Sequence, residues 1–153
     1  MRNPIATRHP RVLPMALLFC SIPALAQKIP FDLRSFPDSP IAFVGAGPGI
    51  FRDGTGRRMF FTIKNESEKA VVGLVFEQDI SSSDTKEILT LERISVIVRS
   101  GERKRLSVSV EDVWNRIQAA AKSGAAIGKP AISIVVVEFV EGGLWHAPLD
   151  GRE

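Results

Sequence analysis

Arg58-Met-Phe-Phe-Thr-Ile-Lys64, Asn65-Glu-Ser-Glu-Lys69 and Ala70-Val-Val-Gly-Leu-Val-Phe-Glu77 run consecutively and decide the fold class. In the first run, Met59, Phe61 and Ile63 alternate with Phe60, Thr62 and Lys64. A period of two sends successive side chains to opposite faces, as a half-buried strand requires. The second run is polar throughout and reads as a turn. The third offers Val72, Leu74 and Phe76 to one face and reads as a second strand. Two alternating runs joined by a short polar link are the repeating unit of an antiparallel β protein.

The same unit recurs outward along the chain. Upstream, Ile41-Ala-Phe-Val44 reads as a short strand ending at the loop Gly45-Ala-Gly-Pro-Gly49. Asp53-Gly-Thr-Gly56 then reads as a hairpin turn, where glycine tolerates positive φ. Downstream, Ser81-Ser-Ser-Asp-Thr-Lys86 reads as a loop and Glu87 to Val98 as one long strand or two short ones. Ser100-Gly-Glu-Arg-Lys104 turns the chain into a strand carrying Leu106, Val108 and Val110. Ala131-Ile-Ser-Ile-Val-Val-Val-Glu-Phe-Val140 is the strongest β signal, and Glu141-Gly-Gly143 links it tightly to Leu144-Trp-His146. The expected total is seven or eight strands. One segment breaks the rhythm: Val110, Val113, Trp114, Ile117 and Ala121 recur at helical spacing. A helix is expected over about 110–122, with Ser109 as N-cap, Asp112 three residues on, and Gly124 as the C-terminal stop. Its apolar stripe should lie against a sheet or close an end of the core.

The N-terminus carries a different message. Arg2, Arg8 and Arg11 precede an apolar run from Val12 to Ile22, followed by Pro23-Ala-Leu-Ala-Gln27. A basic head, a short apolar centre and small residues at an A-x-A site form a secretory signal peptide, so 1–26 is expected to be removed. The apolar run falls short of the roughly 20 residues that a membrane span needs. Phe19 before Cys20 argues against a lipoprotein anchor, which takes a small residue there. Losing 26 residues and three arginines from a chain of 153 with 20 basic residues leaves 127 residues with 17 basic, against 17 acidic. The basic pI of about 9.4 therefore belongs to the leader, and the mature domain is formally neutral and cysteine-free. Residues 27–40 are proline-punctuated and read as an extended lead-in, lying along a domain of 41–150 through Phe31, Leu33 and Phe36 without forming a regular element.

Short strands in this number, with turns at sandwich spacing, imply two antiparallel sheets packed face to face. The stretch from Phe61 to Phe76 resembles the second and third strands of secreted bacterial immunoglobulin-like and fibronectin-III-like domains. Ser100-Gly-Glu is similar to their Pro-Gly-Glu turn, and the run from Val135 to Trp145 resembles their terminal hairpin. The resemblance spans 41–147 and implies an immunoglobulin-like antiparallel β-sandwich with one inserted helix. With no cysteine pair and no tyrosine, the antibody-type subclass is excluded.

Motifs for chemistry are sparse. Gly45 to Gly49 lacks the following helix that a dinucleotide loop requires. Asp53-Gly-Thr-Gly56 has an inserted glycine relative to an aspartic-protease motif, and no second copy. His146 is the one histidine beyond the leader, too few for a multi-histidine metal site. Serines 81–83 lack a nucleophile elbow. Asn65-Glu66-Ser67 matches a glycosylation sequon, and a turn explains Asn65 equally well. No catalytic, cofactor or metal residue is assigned. Arg99, Arg103, Lys104 and Arg105 form the densest basic cluster, extended by Arg57 and Arg58 if the loops meet. Without interleaved exposed aromatics, the cluster points away from nucleic acid; it reads as a solvated turn, with partner binding through an acidic surface as the alternative. Trp145 reads as closing the end of the core, with an exposed anchor of a binding surface as the alternative.

The expectation is a secreted or periplasmic, non-enzymatic binding or structural module acting on a protein partner, with no nucleic acid and no stable membrane insertion. Two alternatives are a small secreted hydrolase or ligand-binding enzyme using Asp53 or His146, and an accessory subunit of a cell-envelope complex docking through an exposed sheet edge.

Overall fold

The computed structural model describes residues 31–81 and 86–148, apart from the side chains of 47–49. The expected leader with Cys20, and Ser82 and Ser83 of the serine loop, lie outside the described residues. Eight strands and one helix follow in the order β1 (Asp32–Arg34), β2 (Ile41–Asp53), β3 (Gly56–Asn65), β4 (Val71–Ser81), β5 (Lys86–Val98), β6 (Arg103–Ser109), α1 (Glu111–Ser123), β7 (Lys129–Phe139) and β8 (Leu144–His146). They form two sheets. One is three-stranded, β2-β3-β6; the other runs β1-β7-β4-β5, with β8 also paired to β7.

The alternation of 58–64 is realised directly. Met59, Phe61 and Ile63 are buried, while Phe60, Thr62 and Lys64 face outward. Phe61 links the layers: its ring centroid lies 5.2 Å from Phe43 on β2 and 5.3 Å from Phe76 on the opposite sheet. Ile41, Val71, Leu74, Val98, Val108, Ile132, Ile134 and Val137 complete a core drawn from both sheets. Burying each such side chain contributes roughly 1.5–3 kcal/mol.

Several expectations need correction. In β4 the register shifts between Val71 and Gly73, so Val71 rather than Val72 joins Leu74 and Phe76 inside. A bulge inserts one residue and reverses the alternation beyond it. Gly45–Gly49 is not a loop after a short strand but lies within β2, where the register slips between Phe43 and Gly45 and between Ala46 and Ile50. The positive φ of the β2–β3 hairpin belongs to Gly56 (φ 121), not Gly54. The lead-in also forms a regular element. β1 pairs parallel with β7, Leu33 opposite Ile132, and Phe31 and Leu33 pack on the core. Proline punctuation at Pro30, Pro37 and Pro40 left just enough uninterrupted chain for three paired residues.

The helix appears at 111–123 and stops as expected at Gly124, whose φ of 68 is left-handed and whose N–H donates to the Ala120 carbonyl. Its start differs. Val110 is the N-cap and no side chain caps it, because Ser109 is still in β6, its N–H donating to Glu92 Oε2 at 3.1 Å. The first-turn acids Glu111 and Asp112 face the positive end of the helix dipole. Val113 and Ala120 are the buried helical positions; Ala121 is exposed. The helix packs against β3, β4 and β5.

Candidate interaction surface

The outer face of the β2-β3-β6 sheet gathers cations and aromatic rings. Register places Phe51 opposite Arg58, Thr62 opposite Arg105, and Lys64 opposite Arg103. Phe51 is 45% exposed and meets Phe60 edge to face, centroids 5.7 Å apart. The Arg105 guanidinium lies 5.0 Å from the Phe60 centroid, a cation–π contact. Arg58 bends over β6, donating from Nε to Ser107 Oγ and from Nη2 to the Ser107 carbonyl, both at 3.0 Å. Lys64 has a single acid nearby, Glu66, at 3.4 Å. Among the described residues Arg103 has no carboxylate partner, although it stands directly across from Lys64. Like charges opposed across a strand pair are destabilising.

The expected cluster is split by this geometry. Arg103 and Arg105 point outward with Lys64 and Arg58. Lys104 is instead turned toward Glu102, and Arg99 meets the same carboxylate through its backbone N–H. The Arg99 N–H donates to Glu102 Oε2 at 2.8 Å, and Lys104 Nζ lies 3.7 Å from Oε1. The Arg99 hydrogen bond, with the charges of Lys104 and Arg99, holds the Glu102 carboxyl below its ordinary pKa. Arg57 leaves the cluster altogether: Nη1 is 2.7 Å from Glu111 Oε1, and the guanidinium sits 4.6 Å over the Trp114 ring. Trp145 is half-buried on β8, opposite Val137, with its ring 6.2 Å from Phe36. That edge lies across the sandwich from β6, so Trp145 closes the core and does not join the cluster.

Phe51 and Phe60 were missed, and with them the interleaving of aromatics that the sequence reading found absent. The signal was present: Phe60 is an outward member of the 58–64 alternation. Phe51 was hidden because the glycine-rich stretch before it reads as loop. Beside this face, Phe60, Arg105, Leu106 and Ser107 join Ile94 of β5 around an open groove of about 530 Å³.

A second charged group occupies the outer face of the other sheet. Glu77 and Asp79 of β4 are 1% and 0% exposed. Lys86 Nζ pairs with Glu77 and stands 3.7 Å from Asp79; Arg34 of β1 reaches Asp79 at 3.4 Å, and Ser81 Oγ donates to Asp79 Oδ1 at 2.6 Å. Each acid is matched by a cation. The network ties β1 and β5 across the sheet instead of leaving a free acid–base pair.

The residues offered for catalysis stand apart. Asp53 accepts from the N–H and hydroxyl of Thr55 at 2.8 and 2.6 Å, which with nearby Arg58 holds its carboxyl below the usual pKa. It serves its own turn. His146 is exposed on β8 of the other sheet. Among the described residues no three His, Cys, Asp or Glu side chains converge on a metal position, and no helix is long and apolar enough to cross a membrane. Compared with family models, curated proteins and solved structures, the chain matches none.

Proposed function

We propose that this chain is an exported, non-enzymatic binding module of immunoglobulin-like build that holds an acidic protein surface on the outer face of its β2-β3-β6 sheet. Two features support the build. Strands β2, β3 and β6 on one side and β8, β7, β4 and β5 with β1 on the other resemble an A-B-E sheet facing a G-F-C sheet with two added strands. The chain also crosses between sheets after β3, after β5 and through α1, as a Greek key does. Export rests on the basic head, apolar centre and Ala-Leu-Ala site of the first 26 residues.

The observation that carries the binding role is Lys64 facing Arg103, flanked by Arg58, Arg105, Phe51 and Phe60. A carboxylate-bearing partner would relieve the repulsion, while the rings supply apolar contact area. Charge complementarity of this kind sets on-rate and specificity and is weakened by salt. Nuclear magnetic resonance titration with poly-L-glutamate is the test. Shifts should concentrate on the outward residues of β3 and β6, with affinity falling several-fold between low and physiological salt. Arg103→Glu should abolish them with the fold intact. Shifts scattered over the surface, or an unaffected Arg103→Glu protein, would sink the reading.

A further inference from the structure

The two sheets expose four lateral edges, and three of them are blocked. The β7 edge is covered by β1 along 131–133 and by β8 along 136–138. The β2 edge is broken by two register shifts. On β6, Glu92 takes the Ser109 N–H and Arg58 takes the Ser107 carbonyl. The remaining edge is β5, thirteen residues long. Helix α1 secures its first part, through Arg116–Glu87 at 3.1 Å and Thr90–Asp112 at 3.0 Å. From Leu91 to Val98 no other described strand covers the edge; Lys104 Nζ lies 3.4 Å from the Ile97 carbonyl and the Asn65 amide takes the Val98 carbonyl at its far end. Long uncovered edges are templates for another strand, and natural proteins blunt them unless they are used.

The side chains of this edge complement themselves. Leu91, Arg93, Ser95 and Ile97 alternate on the outer face, and Leu91 and Ile97 are 63% and 62% exposed. Both lie three residues from Ile94. In an antiparallel pairing of two copies centred on Ile94, Leu91 therefore faces Ile97 of the other copy, and Arg93 faces Ser95. Each exposed apolar residue is covered by the other, and no like charges are directly opposed. Shifting the centre to Arg93 sets two arginines face to face; shifting it to Ser95 sets Arg93 against Ile97 and Leu91 against Arg99. Arg93 is compatible with the Ile94 register because Glu138 already neutralises it, with Nε 2.8 Å from Oε1. Gly73 permits that pair, since a Cβ there would stand 2.8 Å from the Glu138 carboxyl carbon. On the inner side, the residue across from Ile94 would fall at the groove lined by Phe60, Ile94, Arg105, Leu106 and Ser107.

We infer that β5 is a homodimerisation edge, on which a second copy of this chain adds its own β5 antiparallel about Ile94 and continues the larger sheet across both subunits. The dimer is isologous, as a two-fold interface requires. It uses the β5 edge of the other sheet, next to the groove that Phe60 and Arg105 also line, and rests on that edge rather than on the acidic-partner reading. A single strand pair is a small interface, so association belongs to the weak, concentration-dependent class.

Sedimentation of the full chain with Cys20→Ser should show a mass rising toward twice the monomer as concentration increases. Leu91→Lys, at an exposed position that folding does not need, should return it to a monomer. A Leu91→Cys/Ile97→Cys double variant then tests register with the shortest bis-maleimide. Six residues of strand separate the two thiols within one chain by about 20 Å, too far to bridge. Only the other copy can supply the facing thiol. The double variant should cross-link to a dimer and each single variant should not. A chain that remains monomeric at every concentration, or single variants that cross-link as readily as the double, would overturn the inference.

Discussion

Asn65 shows how much one side chain decides. It is fully buried at the end of β3, where the chain leaves one sheet for the other. Its Nδ2 donates to the carbonyls of Lys69 and Val98 at 2.8 and 3.0 Å, and its Oδ1 accepts from the N–H and hydroxyl of Ser67 at 3.0 and 2.7 Å. The amide therefore makes all four of its bonds and ties the β3–β4 turn to the end of β5. The sequon match is explained structurally, since the nitrogen a glycan would need is already committed. Asn65→Ala takes the amide from the Val98 carbonyl and the acceptor from the Ser67 N–H, while Lys69 keeps the Ser67 hydroxyl at 3.0 Å, and should lower stability in urea by about 2–4 kcal/mol with an unchanged slope. Asn65→Asp keeps the Ser67 bonds and should lose less. Equal losses, or none, would mean that the corner is held elsewhere. That Asn65 is a turn residue was legible in sequence; that its amide reaches Val98, thirty-three positions away, was not.

At the scale of elements, legibility followed periodicity. β3 and β7, and the helix with its Gly124 stop, appear where alternation and helical spacing put them. β1 does not, because three residues carry too little pattern to read. What makes β1 a strand is tertiary. Leu33 finds a place beside Ile132, and Arg34 finds the buried Asp79 carboxylate. A carboxyl group with 0% exposure has lost its hydration, and cations and hydrogen bonds stand in for the water. Arg34→Met removes one of the two cations near Asp79 and should cost about 1–3 kcal/mol, discounted because Arg34 is itself partly exposed. Hydrogen exchange would locate the loss: amides of 32–34 and of 131–133 should exchange faster, while the β4–β5 ladder keeps its protection. Protection unchanged in β1 would show that Leu33 alone seats the strand. The helix start was misjudged for a related reason. Ser109 has the chemistry of an N-cap, but its N–H is taken by Glu92 across the edge and it remains the last residue of β6, which leaves Val110 as the N-cap.

At the scale of the whole molecule, three carboxyls among the described residues lie below their ordinary pKa: Asp53 through Thr55, Glu102 through Arg99 and Glu138 through its hydrogen bond to Arg93. The raised pKa of Arg93 is the other half of the last pair. A carboxyl depressed in the folded state binds its proton more weakly there than in the unfolded chain. Its contribution is therefore fully present above the unfolded pKa of about 4 and disappears as pH falls through the folded value. The melting temperature should be flat from neutral pH to about 5 and drop below about 4. Glu138→Gln should make that acid limb shallower. Because all three groups are exposed, added salt should weaken the effect. An acid limb unchanged in Glu138→Gln would place the titration on other groups.

Read alone, the sequence determined the class of element at most positions and how charge is distributed along the chain. These are local or compositional properties, carried by periods of two and 3.6 and by counts of charge. The tertiary structure decided which cations share a face, which aromatics lie among them and which sheet edge stays open. It separated Arg103 and Arg105 from Lys104, moved Arg57 to the helix, brought in Phe51, Phe60 and Lys64, and packed a half-buried Trp145 against the core. The reason is physical: alternation says that a side chain faces outward, but which outward residues are neighbours depends on strand order and register, and those are set by long-range pairing of whole strands.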